Sequence, residues 1–189
     1  MQEQIDYTKL FLRGMEKNPV FQEGVDIVRS NVEGRIWLIG GAVYRTIAHE
    51  LHGSPKPEVD LDFIVERERS EFNLPGGWSV QTNRHGNPKF VNGKRSIDYI
   101  PLEKITSLQR RQCAPTIENY LVGVPLTVQS IAYAVDTKEV IGEIGKRAIR
   151  QGIVEIQDPV EAEYAAAKKG MTLRAFIEEK ARSLEFVGL

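Results

Sequence analysis

The sequence predicts an α/β (α+β) fold, in which a small mixed, largely antiparallel sheet is flanked by helices. The apolar run RIWLIG, residues 35–40, has the composition of a buried strand. The segment VDLDFIVE, residues 59–66, alternates apolar and acidic side chains as a half-buried strand does. Between and after these runs, apolar residues recur at helical spacing. The chain of 189 residues suits one domain with a small appendage.

The first half of the chain supplies most of the predicted sheet. Two amphipathic helices are predicted in DYTKLFLRGMEK and PVFQEGVDIVRS, before the strand at 35–40. A helix over AVYRTIAHEL then leads through the proline-containing loop SPKPE to the strand at 59–66. After a polar surface segment, WSVQTN and KFVNGKRSIDYIPL are predicted as two strands around a turn at 86–88, with a second turn at Asn92 and Gly93.

The second half is predicted to be more helical. Its predicted helices are TSLQRRQ, LTVQSIAYAV, IGEIGKRAIRQG, DPVEAEYAAAKK and TLRAFIEEKARSL, with a turn at DTKE and a short strand at IVEI. Asp158 has the position of an N-cap before Pro159. We expect residues 1–158 to form the main domain, including N-terminal helices within 1–31, and residues 159–189 to form a short helical tail.

Composition and charge restrict the class of protein. The formal net charge is −1, which gives no strong signal for a nucleic-acid partner. Cys113 is the only cysteine, so an internal disulfide or a cysteine zinc cluster is excluded. The first residues are too polar for a secretory signal, and no apolar run approaches the length of a membrane span. These features predict a cytoplasmic protein with no membrane partner.

A glycine pair marks a candidate anion site. Gly40 and Gly41 lie between the strand at 35–40 and the helix that follows. A strand, a glycine turn and a helix bring backbone N–H groups and the positive end of the helix dipole to one point, where phosphate is the usual guest. The pair alone also fits an ordinary tight turn, because it lacks the spacing of a dinucleotide fingerprint and the lysine of a P-loop.

Three aspartates mark a candidate metal site. Asp60 and Asp62 are two residues apart on one predicted strand and therefore project from the same face. Asp98 lies on a later predicted strand with the same alternation. Close carboxylates repel each other unless a cation lies between them, and Mg²⁺ prefers one or two carboxylates together with phosphate oxygens. Carboxylates on two strands beside a glycine turn indicate two-metal phosphoryl transfer.

The combined pattern resembles a known superfamily. The segments LIGGAV, LHGSPKPEVDLDFIVE, SIDYIPLE and LTVQSIAYAVDTKEVIG are similar to the nucleotidyltransferases, and more narrowly to the head domain of poly(A) polymerases and tRNA CCA-adding enzymes. The resemblance covers roughly residues 35–158. Where that family has Arg-Asp after the glycine-containing turn, this chain has Tyr44 and Arg45, and the Arg-Arg-Asp-Phe-Thr element is replaced by residues 122–127.

The resemblance implies an enzyme that moves a nucleoside monophosphate from a nucleoside triphosphate to an acceptor hydroxyl and releases pyrophosphate. It implies that Asp60, Asp62 and Asp98 hold Mg²⁺ or Mn²⁺, and that Gly40 and Gly41 bind the nucleotide. Arg45 is a candidate to bind the phosphates in place of the charges that the family has there, or is an exposed cation of the helix. The acceptor, a small molecule, an RNA end or a protein, stays open. The cations that flank the later strands, Arg84, Lys89, Lys94 and Arg95, are candidates for contact with phosphate or acceptor or for a solvated sheet edge.

Two rival interpretations remain from the sequence. A nucleotide-binding module that keeps the fold without catalysis is favoured by Tyr44 and by the missing Arg-Arg-Asp element. A purely structural interaction domain would have no use for the aspartates as metal ligands.

Overall fold

A seven-stranded mixed sheet lies at the centre of the protein. The computed structural model describes residues 5–15, 18–56, 60–83, 86–93 and 95–189. The strands are β1 (Val32–Ile39), β2 (Leu61–Glu68), β3 (Ser79–Thr82), β4 (Pro88–Asn92), β5 (Arg95–Pro101), β6 (Ala132–Ala134) and β7 (Glu139–Ile141). Their order is β3-β4-β5-β2-β1-β6-β7. Within this sheet, as far as the structure describes it, β2 and β5 pair in parallel and the other neighbours pair antiparallel, which confirms the predicted mixed, largely antiparallel sheet.

Helices cover the sheet and follow it along the chain. They are α1 (Tyr7–Met15), α2 (Pro19–Asn31), α3 (Gly41–His52), α4 (Thr106–Arg110), α5 (Ile117–Val122), α6 (Glu143–Gln151), α7 (Pro159–Lys168) and α8 (Leu173–Arg182). The predicted cap is confirmed, because the Asp158 side chain accepts a hydrogen bond from the Glu161 N–H at 3.1 Å. A small parallel pair, β8 (Ile153–Val154) and β9 (Val187–Gly188), lies beside them. Within the described ranges, no helix is long and apolar enough to cross a bilayer.

The two faces of the sheet carry different kinds of side chains. Leu38, Phe63 and Tyr99 point to one face and pack with α1, α2 and α3 in the larger hydrophobic cluster. Trp37 and Ile64 point to the other face and pack with a smaller cluster from α4 and α5. Because side chains alternate along a strand, Asp62 shares this second face with Ile64. The smaller cluster therefore leaves part of that face to polar residues.

The prediction of a helix over LTVQSIAYAV is wrong. The structure has a single 3₁₀ turn at Thr127–Gln129, followed by strand β6. Trp37 and Leu38 of β1 are the register partners of β6, so this apolar run forms the next strand of the sheet. A short apolar run fits a buried helix and a buried strand equally well. Here the run forms a strand because it pairs with the open edge of β1. Strand β7 and helix α5 were not predicted.

The C-terminal helices pack against the rest of the chain. Arg110 of α4 donates two hydrogen bonds to the carboxylate of Glu161 on α7, one of them from Nε at 3.1 Å. Glu161 is buried, and the Arg110 guanidinium also lies over the Tyr164 ring at 4.3 Å. Phe176 and Leu184 join the larger hydrophobic cluster. The division at residue 158 stays a prediction.

The buried Glu161 carboxylate generates a prediction about stability. Replacing Glu161 with Gln removes the charge that neutralises Arg110 and one of its two acceptor oxygens. We expect the free energy of unfolding to fall by about 1–3 kcal/mol, measured by urea denaturation. The control is Glu163→Gln on the exposed face of the same helix, which should change it by less than about 0.5 kcal/mol. Equal effects of the two substitutions would contradict a stabilising role for the buried pair.

Candidate active site

The glycine turn lies directly against one of the three aspartates. Gly40 ends β1 with φ +73 and caps α3, and no side chain caps that helix. Ile39 is the register partner of Asp62 on the neighbouring strand. A Cβ atom at Gly40 would lie 3.2 Å from Asp62 Oδ2, closer than nearly all such contacts. Glycine is therefore required at position 40 for two reasons: the backbone has a positive φ, and the carboxylate of Asp62 approaches too closely for a side chain.

Asp62 and Asp98 face each other across the parallel strand pair. Strands β2 and β5 align Leu61 with Ile97 and Asp62 with Asp98. Neighbouring strands lie about 4.8 Å apart, so register alone holds the two carboxylates together on one face. Asp60 precedes β2 by one residue and is exposed. The structure thus brings together the predicted aspartates, and it places Asp60 at the solvent side of the group.

The electrostatics of Asp62 are unusual for a carboxylate. Burial, followed by the negative charges of Asp98 and Asp60, raises its pKa to about 6. The Lys89 ammonium lowers the pKa and offsets part of this effect. Tyr120 of α5 also borders the carboxylate, since burial and the Asp62 charge both raise the pKa of its phenol. Asp62 is therefore a partly desolvated acid that a nearby cation would stabilise in its charged form.

Asp98 already has two partners. Asn83 Nδ2 donates a hydrogen bond to Oδ1 at 3.0 Å, and Lys89 Nζ lies 3.1 Å from Oδ2. Lys89 on β4 is the register partner of Asp98, so the backbone fixes this pairing. Of the other predicted cations, Arg95 pairs with Glu23, and Arg84 and Lys94 lie outside the described residues.

Positive charge collects at the start of α3. The Arg45 side chain lies over Gly41, with Nε 3.6 Å from the position of a Cβ atom there, and its Nη2 donates to Ser183 Oγ at 3.3 Å. Lys180 of α8 donates to the Tyr44 hydroxyl at 2.9 Å. Burial would raise the pKa of Tyr44, but Lys180 and Arg45 outweigh it and the pKa is lowered. Sequence motifs missed Lys180 because it lies 136 residues from Tyr44 along the chain.

The three aspartates provide only part of what a divalent metal site needs. Carboxylates are the ligands that Mg²⁺ and Mn²⁺ prefer, and the pKa of Asp62 is raised by burial and by the charges of Asp98 and Asp60, both of which a bound cation would offset. Over the ranges that the structure describes, however, no group of three or more His, Cys, Asp or Glu side chains is arranged to hold a metal ion. Asp98, the third member of the expected carboxylate set, is engaged by Lys89 and Asn83.

The chain resembles solved structures over nearly its whole length. A CCA-adding enzyme with ATP has a TM-score of 0.60 at 17% identity, covering 100% of this chain and 43% of that one. The Bacillus stearothermophilus CCA-adding enzyme in complex with CTP has a TM-score of 0.59 at 19% identity, covering 91% and 41%. The chain has a nucleotidyltransferase fold. This confirms the resemblance read from the glycine turn and the aspartates, at the level of fold.

A third similar structure contains RNA. The Thermotoga maritima CCA-adding enzyme complexed with tRNA has a TM-score of 0.54 at 18% identity, covering 96% of this chain and 47% of that one. The chain thus spans less than half the length of these enzymes. No protein-family model matches the sequence, and no curated protein matches it.

The raised pKa of Asp62 predicts a pH-dependent cost in stability. The folded state holds this proton more tightly than the unfolded chain, whose pKa is near 3.8, so stability falls as pH rises from about 4 to about 6. Without divalent ions, Asp62→Asn should therefore stabilise the protein by about 1–3 kcal/mol at pH 7.5 and have little effect at pH 4. Urea denaturation at both pH values measures this.

Glu66 is the control for the Asp62 substitution. It lies on the same strand, and hydrogen bonds from Arg35 lower its pKa. Glu66→Gln should give no stabilisation at pH 7.5. A stabilisation by Asp62→Asn that is equally large at pH 4 would contradict the electrostatic explanation.

The contact between Gly40 and Asp62 is tested with a double-mutant cycle. Gly40 has φ +73 and ψ −153, whereas Gly53 has φ +73 and ψ 14, and nothing lies within 4 Å of a Cβ atom at Gly53. Gly53→Ala should cost about 1 kcal/mol from backbone strain alone, and Gly40→Ala should cost more, from its own backbone and from the contact with Asp62. In an Asp62→Ala background that excess should decrease, as the cycle measured in urea would show. An unchanged excess would mean that Asp62 is not the group that restricts Gly40.

Proposed function

We propose that this protein is a metal-dependent nucleotidyltransferase that moves a nucleoside monophosphate from a nucleoside triphosphate to an acceptor hydroxyl. The observation that carries the proposal is the contact of the Gly40 turn with Asp62, which is itself in register with Asp98. This arrangement puts an anion-binding helix start beside paired carboxylates, which is what phosphoryl transfer requires.

The chain's own residues have distinct roles in this proposal. The backbone N–H groups at Gly40 and Gly41 and the start of α3 hold the triphosphate, and Arg45 neutralises its charge. Asp60 and Asp62 hold Mg²⁺ or Mn²⁺, with Asp98 completing the acidic group. When bound, the metal would supply charge neutralisation at the reacting phosphate and at the acceptor oxygen.

The reaction itself is a displacement at the α-phosphate. The acceptor oxygen forms a bond to the α-phosphorus, the bond from that phosphorus to the bridging oxygen of the leaving group breaks, and pyrophosphate departs. The proton of the acceptor hydroxyl passes to the carboxylate of Asp98. The desolvated surroundings of Asp62 strengthen the electrostatic interactions in this part of the site.

Nucleotide and RNA are proposed partners. Structures with this fold were solved with ATP, with CTP and with tRNA, so the balanced charge of this chain does not argue against an RNA acceptor. A cytoplasmic location remains a prediction.

A second candidate function is nucleotide binding without catalysis. The ion pair between Lys89 and Asp98 favours it, because it engages a carboxylate that the reaction would use. Such a protein would bind a nucleoside triphosphate at the glycine turn and release it unchanged.

A transfer assay separates the two functions. The purified chain is incubated with each labelled nucleoside triphosphate, Mg²⁺ or Mn²⁺, and acceptors that include tRNA, small hydroxyl compounds and the protein itself. We expect labelled product and pyrophosphate from the wild type and at least about a hundredfold less from Asp62→Asn. Glu66→Gln, on the same strand, should keep its activity. Nucleotide binding with no turnover would favour the second function, and absence of both would sink the proposal.

A further inference from the structure

The ammonium group of Lys89 lies at Asp98, the third predicted carboxylate, where the sequence predicted a metal ion. This ammonium lies 3.1 Å from Asp98 Oδ2, while Asn83 donates to Oδ1 at 3.0 Å. Both oxygens of Asp98 are thus engaged by side chains of the protein. The sequence predicted a carboxylate that is open to metal, and the structure has one that is already neutralised.

The position of Lys89 is set by the fold. Lys89 and Asp98 are register partners in the antiparallel pair of β4 and β5. The next residue, Phe90, is fully buried and packs on Tyr99 with ring centroids 5.2 Å apart. A strand that is anchored on one face by an aromatic pair presents Lys89 to the opposite face, where Asp98 and Asp62 lie. The lysine is therefore built into the acidic group.

The partner Asn83 is also held in place. It follows β3, where its backbone N–H donates to Asn87 O at 2.8 Å and its side-chain oxygen accepts from the Asn87 N–H at 3.1 Å. Its amide group is thereby oriented with the nitrogen toward Asp98. Together the amide and the ammonium occupy one acceptor direction at each oxygen of the carboxylate.

We propose that Lys89 supplies the positive charge at Asp98 that a second metal ion would otherwise supply. The protein would then hold one divalent ion at Asp60 and Asp62 and an ammonium group at Asp98. Lys89 is a positioning residue in this arrangement, because it sets the charge and orientation of Asp98. The inference deepens the proposed function and rests on it.

Binding of Mn²⁺ alone tests the inference without any turnover. Titrations followed by the electron paramagnetic resonance of free Mn²⁺ give the affinity and the number of ions bound. Lys89→Met should bind Mn²⁺ at least about fivefold more tightly than the wild type, or bind one additional ion, because the competing charge is gone. Lys89→Arg keeps the charge and should behave as the wild type, and circular dichroism verifies that both variants are folded.

Arg95→Gln is the control for net charge. Arg95 lies on β5 near Asp98 but pairs with Glu23, so its loss lowers the net charge equally without freeing Asp98. No gain in Mn²⁺ binding for Lys89→Met, or an equal gain for Arg95→Gln, would overturn the inference. Weaker nucleotide binding with unchanged Mn²⁺ affinity would overturn it too, and would assign Lys89 to phosphate instead.

The outcomes are independent of the transfer assay. If Lys89→Met gains Mn²⁺ binding while no acceptor receives a nucleotide, the inference stands and the proposed enzyme activity fails. If transfer occurs and Lys89→Met gains nothing, only the inference fails.

Discussion

The parallel pairing of β2 and β5 is the constraint on which the site depends. It places Asp62 opposite Asp98 in a sheet whose other described pairings are antiparallel. A shift of one residue would turn one of the carboxylates to the face that carries the larger hydrophobic cluster, which makes the register hard to change. The core residues Phe63 and Tyr99, which are also register partners, fix it from that face. Packing on one face thus holds the carboxylates together on the other, where burial and the neighbouring negative charges raise the pKa of Asp62.

Much of this arrangement follows from the sequence. Strict alternation over residues 59–66 indicates which side chains share a face, and the glycine pair before a periodic segment indicates the turn and α3. Three features of the structure could not be predicted from the sequence. A short apolar run such as residues 126–135 fits a helix or a strand, and only the free edge of β1 selects β6. The contact of Lys180 with Tyr44 joins distant parts of the chain. The ion pair of Lys89 with Asp98 depends on the register between β4 and β5, which alternation leaves open.

The C-terminal helices belong to the physical surroundings of the site. Lys180 contacts Tyr44 and Ser183 contacts Arg45 near the start of α3. The buried Glu161 connects α7 to Arg110. The tail predicted for residues 159–189 is thus attached to the rest of the chain at several places, one of which is the start of α3. The charges near the start of α3 therefore come from distant parts of the sequence, which a local motif cannot encode.

The contact between β1 and the segment after β6 has a consequence for how the molecule folds. The Ile36 N–H donates to Asp136 Oδ2, one hundred residues further along the chain, and β6 closes on β1 beside it. Forming a contact between residues so far apart in sequence costs chain entropy before the contact contributes any stability. Such contacts therefore slow folding. The antiparallel pair of β1 and β2, with α3 between them in the chain, can form early, whereas closure of the sheet by β6 must wait for most of the chain. A newly made chain would therefore carry the glycine turn and Asp62 together long before its sheet is complete.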